Sequence, residues 1–175
     1  MYIVMKYVGE MWHCANLYRT EQYEGLDIGS FQDSYLINIC KNPGITQEQL
    51  SRLIYVHKSN VARQVSSLEE KGFVVRKQDP ADRRNLLLYP TEKAKRAMRR
   101  ISAVHEKWTE LILEGLTEEE RAAAVGYVMR LAENAKNIVS GIGVCGSADG
   151  GKYCEQVRAG AESDPSACGE ERGRQ

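Results

Sequence analysis

Two short helical patterns joined by a brief turn, then a basic extended segment, constrain this chain more than anything else in it. Thr46-Gln-Glu-Gln49 is a capping box, in which Thr46 caps a helix and Gln49 reaches back to it. That helix is expected to run through about Ile54 with Leu50 and Leu53 as its core face. A second helix is expected from about Lys58 to Lys71, where Val61, Val65 and Leu68 recur at i, i+4 and i+7. Gly72 stands where a left-handed residue ends a helix. Phe73 to Lys77 and Asn85 to Tyr89 read as strands, joined by the turn-rich Gln78-Asp79-Pro80-Ala81-Asp82. Helix, turn, helix and hairpin together make a winged helix-turn-helix, expected over Thr46 to Thr91.

Helices are expected on either side of this unit, so the fold class is mainly α with a small β-hairpin wing. From Tyr2 to about Tyr23, Val4, Val8, Met11, Ala15 and Tyr18 form one apolar stripe, and Gly25 ends the helix. Ser30 can cap a second helix with Tyr35, Leu36 and Ile39 inward, before Asn42-Pro43-Gly44 breaks the chain. Pro90 and Thr91 open a long helix whose stripe is Met98, Ile101, Val104, Trp108, Leu111 and Ile112. Thr117-Glu-Glu-Glu120 is a second capping box, followed by an inward set of Val125, Val128, Leu131, Ala135 and Ile138. Trp12, Tyr18, Trp108, Leu111, Leu131 and Ile138 are more apolar surface than a small winged domain can cover, and a symmetric dimer would bury it. The organisation is therefore a winged domain over residues 1–139, with 46–91 as its DNA-binding core and 1–23 and 92–139 as dimerisation helices. Beyond Val139 repeated glycines and few large apolar residues predict a flexible tail over 140–175.

Charge patterning points to the partner. Net charge is +0 overall, yet His57 to Arg100 holds twelve basic and five acidic residues. A basic block in a neutral chain is the footprint of a polyanion site. The polar face of the second helix carries Lys58, Ser59, Asn60, Arg63, Gln64 and Ser67, with acids only at its far end, Glu69 and Glu70. Arg suits guanine N7 and O6, while Asn and Gln suit adenine N6 and N7, so this face offers what base edges in the major groove require. The wing tip, Asp82-Arg83-Arg84, places two arginines where the minor groove's negative potential attracts them. Asp82 is expected to hold an arginine in a fixed geometry. Thr46, at the start of the first helix, completes the set of DNA-binding candidates.

Leu68-Glu-Glu-Lys-Gly72, Asp79-Pro80-Ala-Asp82-Arg83-Arg84 and Thr91-Glu-Lys93, with Gln32 and Pro43-Gly44 upstream, resemble the MarR family of bacterial transcription regulators from about Tyr2 to Val139. The Asp-x-Arg wing signature of that family maps to Asp82 and Arg84. The resemblance implies a homodimer with interlocked terminal helices and a pseudo-palindromic double-stranded DNA operator. It also implies a wing arginine in the minor groove, and release of DNA on binding a small-molecule effector, an oxidant or a metal. The reading is of a ligand-responsive homodimeric repressor. His57, Ala62, Pro90 and Ala94 depart from the family's usual residues.

Other chemistries find less support. Cys14 lies where some members of that family carry a peroxide-reactive cysteine, which would make it a redox switch; the plainer reading is a buried, inert thiol. Cys145, Cys154 and Cys168 fall in the tail, and His13, His57 and His105 are scattered, so no metal site and no cofactor are expected. No nucleophile elbow, phosphate loop or zinc-protease motif occurs, so an enzyme is not expected. A winged helix used only for protein contact has no special need of adjacent arginines at Arg83 and Arg84. No membrane span or signal peptide is apparent, and a cytoplasmic protein with reduced thiols is expected.

Overall fold

The computed structural model of the chain describes residues 3–82 and 84–141; Arg83 and residues 142–175, with Cys145, Cys154 and Cys168, lie outside the described residues. Helix α1 spans Ile3–Gln22, and Gly25 turns the chain at φ +80°. Helix α2 (Asp33–Lys41) starts later than Ser30 would set it, with Gln32 in the N-cap position. Ser30 Oγ instead accepts a hydrogen bond from Thr20 Oγ1 at 3.0 Å. The acid that favours a helix N-terminus is Asp33, in the first turn.

The Thr46 capping box forms in full. Gln49 N–H donates to Thr46 Oγ1 at 3.1 Å, and Thr46 N–H to Gln49 Oε1 at 2.9 Å. The resulting helix α3 (Gln47–Leu53) is short enough that one narrow stripe meets the core, namely Leu50 and Ser51. Leu53, expected inward, is 47% exposed, because the helix ends there and Tyr55 reverses the chain at φ +54°. Helix α4 (Lys58–Glu70) buries Val61, Val65 and Leu68, as its spacing predicts. Gly72, at φ +74°, closes it in a Schellman motif: Phe73 N–H reaches Leu68 O and Gly72 N–H reaches Glu69 O, both at 2.8 Å.

Phe73 therefore belongs to the helix stop, and the wing strands begin one residue later than expected, β2 at Val74–Gln78 and β3 at Leu86–Pro90. A two-residue strand, β1 (Ile45–Thr46), pairs antiparallel with the far edge of β3, giving the order β1-β3-β2. Ile45 lies opposite Leu88, which itself lies opposite Arg76. Two residues are too few to show strand alternation in a sequence, and β1 was not expected. It ties the turn before α3 to the base of the wing.

Helix α5 (Glu92–Ile112) is capped by Thr91, whose Oγ1 accepts from Ala94 N–H. Its N-terminal half enters the core through Ala94, Ala97, Ile101 and Val104 against Leu36, Ile39, Leu50, Val65, Phe73 and Leu88. Its C-terminal Leu111 and Ile112 are exposed. Helix α6 (Glu118–Gly141) forms behind the expected Thr117–Glu120 capping box. Val125, Val128, Leu131 and Ile138 of α6, and Val4, Val8 and Met11 of α1, face no partner within the single chain. No helix among the described residues is long and apolar enough to cross a membrane.

Candidate nucleic-acid interface

Helix α4 has a buried face, two braced flanks and one outward face. On the α2 flank, the amide of Gln32 donates to Gln64 Oε1 at 3.2 Å and to Ser67 Oγ at 3.1 Å, and accepts from Lys71 Nζ at 3.1 Å. On the wing flank, Arg76 of β2 pairs with Glu69 at 2.5 Å and donates to Ser66 Oγ at 2.9 Å. The helix is thereby held in rotation from both sides. The outward face is left to Ser59 and Arg63, with Glu70 at its far end. Arg63 Nη2 donates to Asn60 Oδ1 at 2.8 Å, which pre-sets the guanidinium by a bond within one helical turn.

The candidate readers thus divide. Ser59, Arg63 and Lys58 are exposed and Asn60 is half-buried beside Arg63. Gln64 and Ser67, placed on the same polar face by sequence spacing, are half-buried and engaged with Gln32. Lys58 reaches Glu48 Oε1 at 3.0 Å, and Arg52 reaches the same oxygen at 2.7 Å. Those two cations lower the pKa of the Glu48 carboxyl, chiefly through the Lys58 hydrogen bond. Thr46 uses its hydroxyl in the α3 cap, on a half-buried residue. At the start of α4 it is His57 that caps, with Nδ1 accepting from Ser59 N–H at 3.3 Å and lying 2.8 Å from Ser59 Oγ.

At the wing tip Asp82 acts on the backbone. Its Oδ1 accepts the backbone N–H of Arg84 at 3.0 Å and its Oδ2 accepts from Asn85 Nδ2 at 3.3 Å. Asp82 therefore fixes the tip through the backbone, as an Asx turn does, with no guanidinium pairing to it among the described residues. The reason is local: an Asp side chain reaches the N–H two residues on without leaving the turn. Arg84 is exposed, and among the described residues neither it, Arg63 nor Lys77 has a carboxylate within ion-pair distance. Arg76, Lys71 and Lys95, by contrast, are paired with Glu69, Asp27 and Glu92. Among the described residues of the basic block, the cations without such a partner are Arg63 on the outward face of α4, Lys77 and Arg84 on the wing, and Lys93, Arg96, Arg99 and Arg100 on α5.

Behind this surface lies a polar cluster that sequence spacing did not reveal. Asp33, 1% exposed, accepts from Tyr23 Oη at 2.9 Å and His105 Nε2 at 3.0 Å, and pairs with Arg19 Nη1 at 3.3 Å. One carboxylate thus joins α1, α2 and α5. Contacts that run from Arg19 to His105 leave no local pattern, though an Asp in an otherwise apolar α2 face is the one available hint. Cys14 is exposed in the single chain rather than buried. Cys40, half-buried, has its thiol pKa raised by burial. Among the described residues no cluster of His, Cys, Asp or Glu is arranged to hold a metal ion.

Two helices crossing at a short turn, the second braced and presenting cations, and a three-stranded wing beside it define a winged helix-turn-helix protein. The MarR family model matches residues 32–86, which run from Gln32 through the helix-turn-helix into β3. An uncharacterised HTH-type transcriptional regulator of Bacillus subtilis, YybA, is 30% identical over 131 residues, covering 75% of this chain and 87% of that protein. The chain belongs to the MarR family of transcriptional regulators. The crystal structure of the transcriptional regulator SlyA superposes with a TM-score of 0.75 at 27% identity, covering 79% of this chain and 98% of that one. A MarR family regulator from Listeria monocytogenes complexed with a 26mer DNA gives a TM-score of 0.70 at 26% identity, covering 76% of this chain and 89% of that one.

Proposed function

We propose that the protein is a homodimeric repressor that reads a pseudo-palindromic DNA operator and is released from it by a small-molecule ligand. The observation that carries the DNA reading is the outward face of α4, where Arg63 stands exposed and braced on Asn60. Arg63 and Asn60 would meet base edges in the major groove, and Arg84 of the wing, with Arg83 beside it in sequence, would enter the minor groove. Lys58, Ser59 and Thr46 flank the phosphate backbone in this reading. The solved DNA complex of a relative supports it.

The apolar faces support the dimer. No described side chain of α6 is buried, although Leu131 is 54% and Val128 59% exposed, and Trp12 of α1 is 50% exposed. A second copy laid against α1 and α6 would remove that surface from water and set two α4 helices about 34–36 Å apart, one DNA turn. Occupying both half-sites would exclude polymerase from an overlapping promoter, and a ligand that alters the spacing of the two helices would release the DNA.

Sedimentation equilibrium and a salt titration on a duplex from the protein's own upstream region test this together. A dimer whose affinity falls steeply with salt is expected, because phosphate contacts release counterions. A monomer at micromolar concentration, or salt-insensitive binding, would reject the corresponding half of the proposal.

A further inference from the structure

The Gln32 amide has an orientation that its neighbours dictate. Its Oε1 accepts from Lys71 Nζ at 3.1 Å and from Gly29 N–H at 3.2 Å. An ammonium and a backbone N–H are donors only, so the oxygen must lie on that side and the NH2 must face α4. There it meets Gln64 Oε1 at 3.2 Å and Ser67 Oγ at 3.1 Å. Gln64 must in turn present its carbonyl to Gln32. Its own NH2 is the end left over, and among the described residues nothing accepts a hydrogen bond from it. Gln32 is 7% exposed, so water competes little for these bonds.

A glutamine with both ends available reads adenine, accepting from N6 and donating to N7. With its carbonyl held inside the protein, Gln64 can offer only donors. We propose that Gln32 is a specificity-determining positioning residue: by holding the Gln64 carbonyl it turns Gln64 from a bidentate adenine reader into a donor that favours guanine, whose N7 and O6 are two adjacent acceptors. This rests on the DNA-reading role of α4 proposed above. Ser67 braces the same amide and is a positioning group rather than a reader.

The variant Gln32→Glu reverses the arrangement without removing it. Its carboxylate still accepts from Lys71 and Gly29 but cannot donate to α4. Gln64 then turns its NH2 inward, Ser67 turns its hydroxyl proton inward, and the Gln64 carbonyl faces outward as an acceptor. Selection of the full-length wild type, Gln32→Glu, Gln32→Met and Gln64→Ala on randomised duplexes tests this, with thermal unfolding confirming that each variant is folded. Gln64→Ala should flatten preference at one position per half-site. Gln32→Glu should move that same position from guanine toward adenine or cytosine by about tenfold, within the range a single base contact supplies. Gln32→Met, which frees both ends of Gln64, should favour adenine there. Combining Gln32→Glu with Gln64→Ala should abolish the switch. An unchanged profile in Gln32→Glu, or a loss equal across all sequences, would overturn the inference while leaving the DNA-reading function standing. A wild-type protein that selects no sequence would overturn that function and this inference with it.

Discussion

His105 Nε2 on α5 lies 3.0 Å from Asp33 Oδ2 on α2, and the two side chains differ sharply in burial, 37% exposed against 2%. The carboxylate is also held by Arg19, 15% exposed, and by Tyr23. Removing Asp33 therefore strands a largely buried guanidinium and a phenol, whereas removing His105 leaves the carboxylate its contacts with Arg19, Tyr23 and the Ser34 N–H. Asp33→Ala should cost about 3–5 kcal/mol, the range for breaking one side of a buried pair. His105→Ala should cost less than about 1 kcal/mol, as half-exposed pairs do. Urea unfolding of the two variants checks this; equal losses would show that His105, not Arg19, carries the pairing.

Tyr23 supplies an alkaline signature for the same cluster. Burial, then the Asp33 charge, then the hydrogen bond it donates to Asp33 all push its phenol pKa up, against a smaller opposing effect of Arg19. The folded protein thus holds this proton more tightly than the unfolded chain, whose phenol titrates near pH 10. The stabilisation is complete below that value and is lost progressively as pH rises through and beyond it. Unfolding free energy measured from pH 8 to 11 should fall more steeply for the wild type than for Tyr23→Phe. Parallel curves would place the Tyr23 proton outside the cluster's energetics.

The wing tip distinguishes a backbone role for Asp82 from a charge role. Asn can accept the Arg84 N–H as Asp82 Oδ1 does at 3.0 Å, but carries no charge. Asp82→Asn should keep DNA affinity within about threefold of the wild type, since the Asx turn survives, and Asp82→Ala should weaken it further. Arg84→Ala should weaken binding on all sequences and reduce the salt slope by about one. Fluorescence anisotropy at several salt concentrations reads both; an Asn variant as weak as Ala would mean that Asp82 acts through its charge on an arginine.

Gly44 is a position where any side chain would be strained. Its φ is +89°, and a Cβ there would sit 3.2 Å from Tyr89 Oη on β3. Its N–H also donates to Leu88 O at 2.8 Å, at the edge where β1 joins the wing. Gly44→Ala should destabilise by about 1–3 kcal/mol through the left-handed backbone. Tyr89→Phe should recover the steric part but not the backbone part. Thermal unfolding of the single and double variants separates them, and full rescue by Tyr89→Phe would show that backbone strain contributes nothing.

What was legible in the sequence was whatever is encoded over one or two helical turns. Thr46 with Gln49, Thr117 with Glu120, Gly72, and the Val61-Val65-Leu68 stripe all came through as written. Each is a contact between residues three or four apart, or a backbone preference of a single residue. The α2 start was misplaced because Ser30 and Asp33 are both competent at a helix N-terminus, and the partner that claims Ser30 is Thr20 on another helix. The polar face of α4 was legible as a face but not as three functions. Spacing places Gln64 beside Arg63, yet cannot show that Gln32, 32 residues away, takes its carbonyl.

The sequence by itself determined that two helices would form with a basic wing after them, because caps, stop signals and apolar periodicity act through neighbours along the chain. It also determined where the positive charge would concentrate, since that depends only on the order of residues. Only the tertiary structure decided which of those charges remain available. Arg76 and Lys71 are neutralised by Glu69 and Asp27, while Arg63 and Arg84 are not. It alone joined α1, α2 and α5 on the Asp33 carboxylate. The physical reason is that a hydrogen bond or ion pair needs its partners within about 3–4 Å. For residues far apart in the chain, that proximity exists only after the apolar stripes have packed.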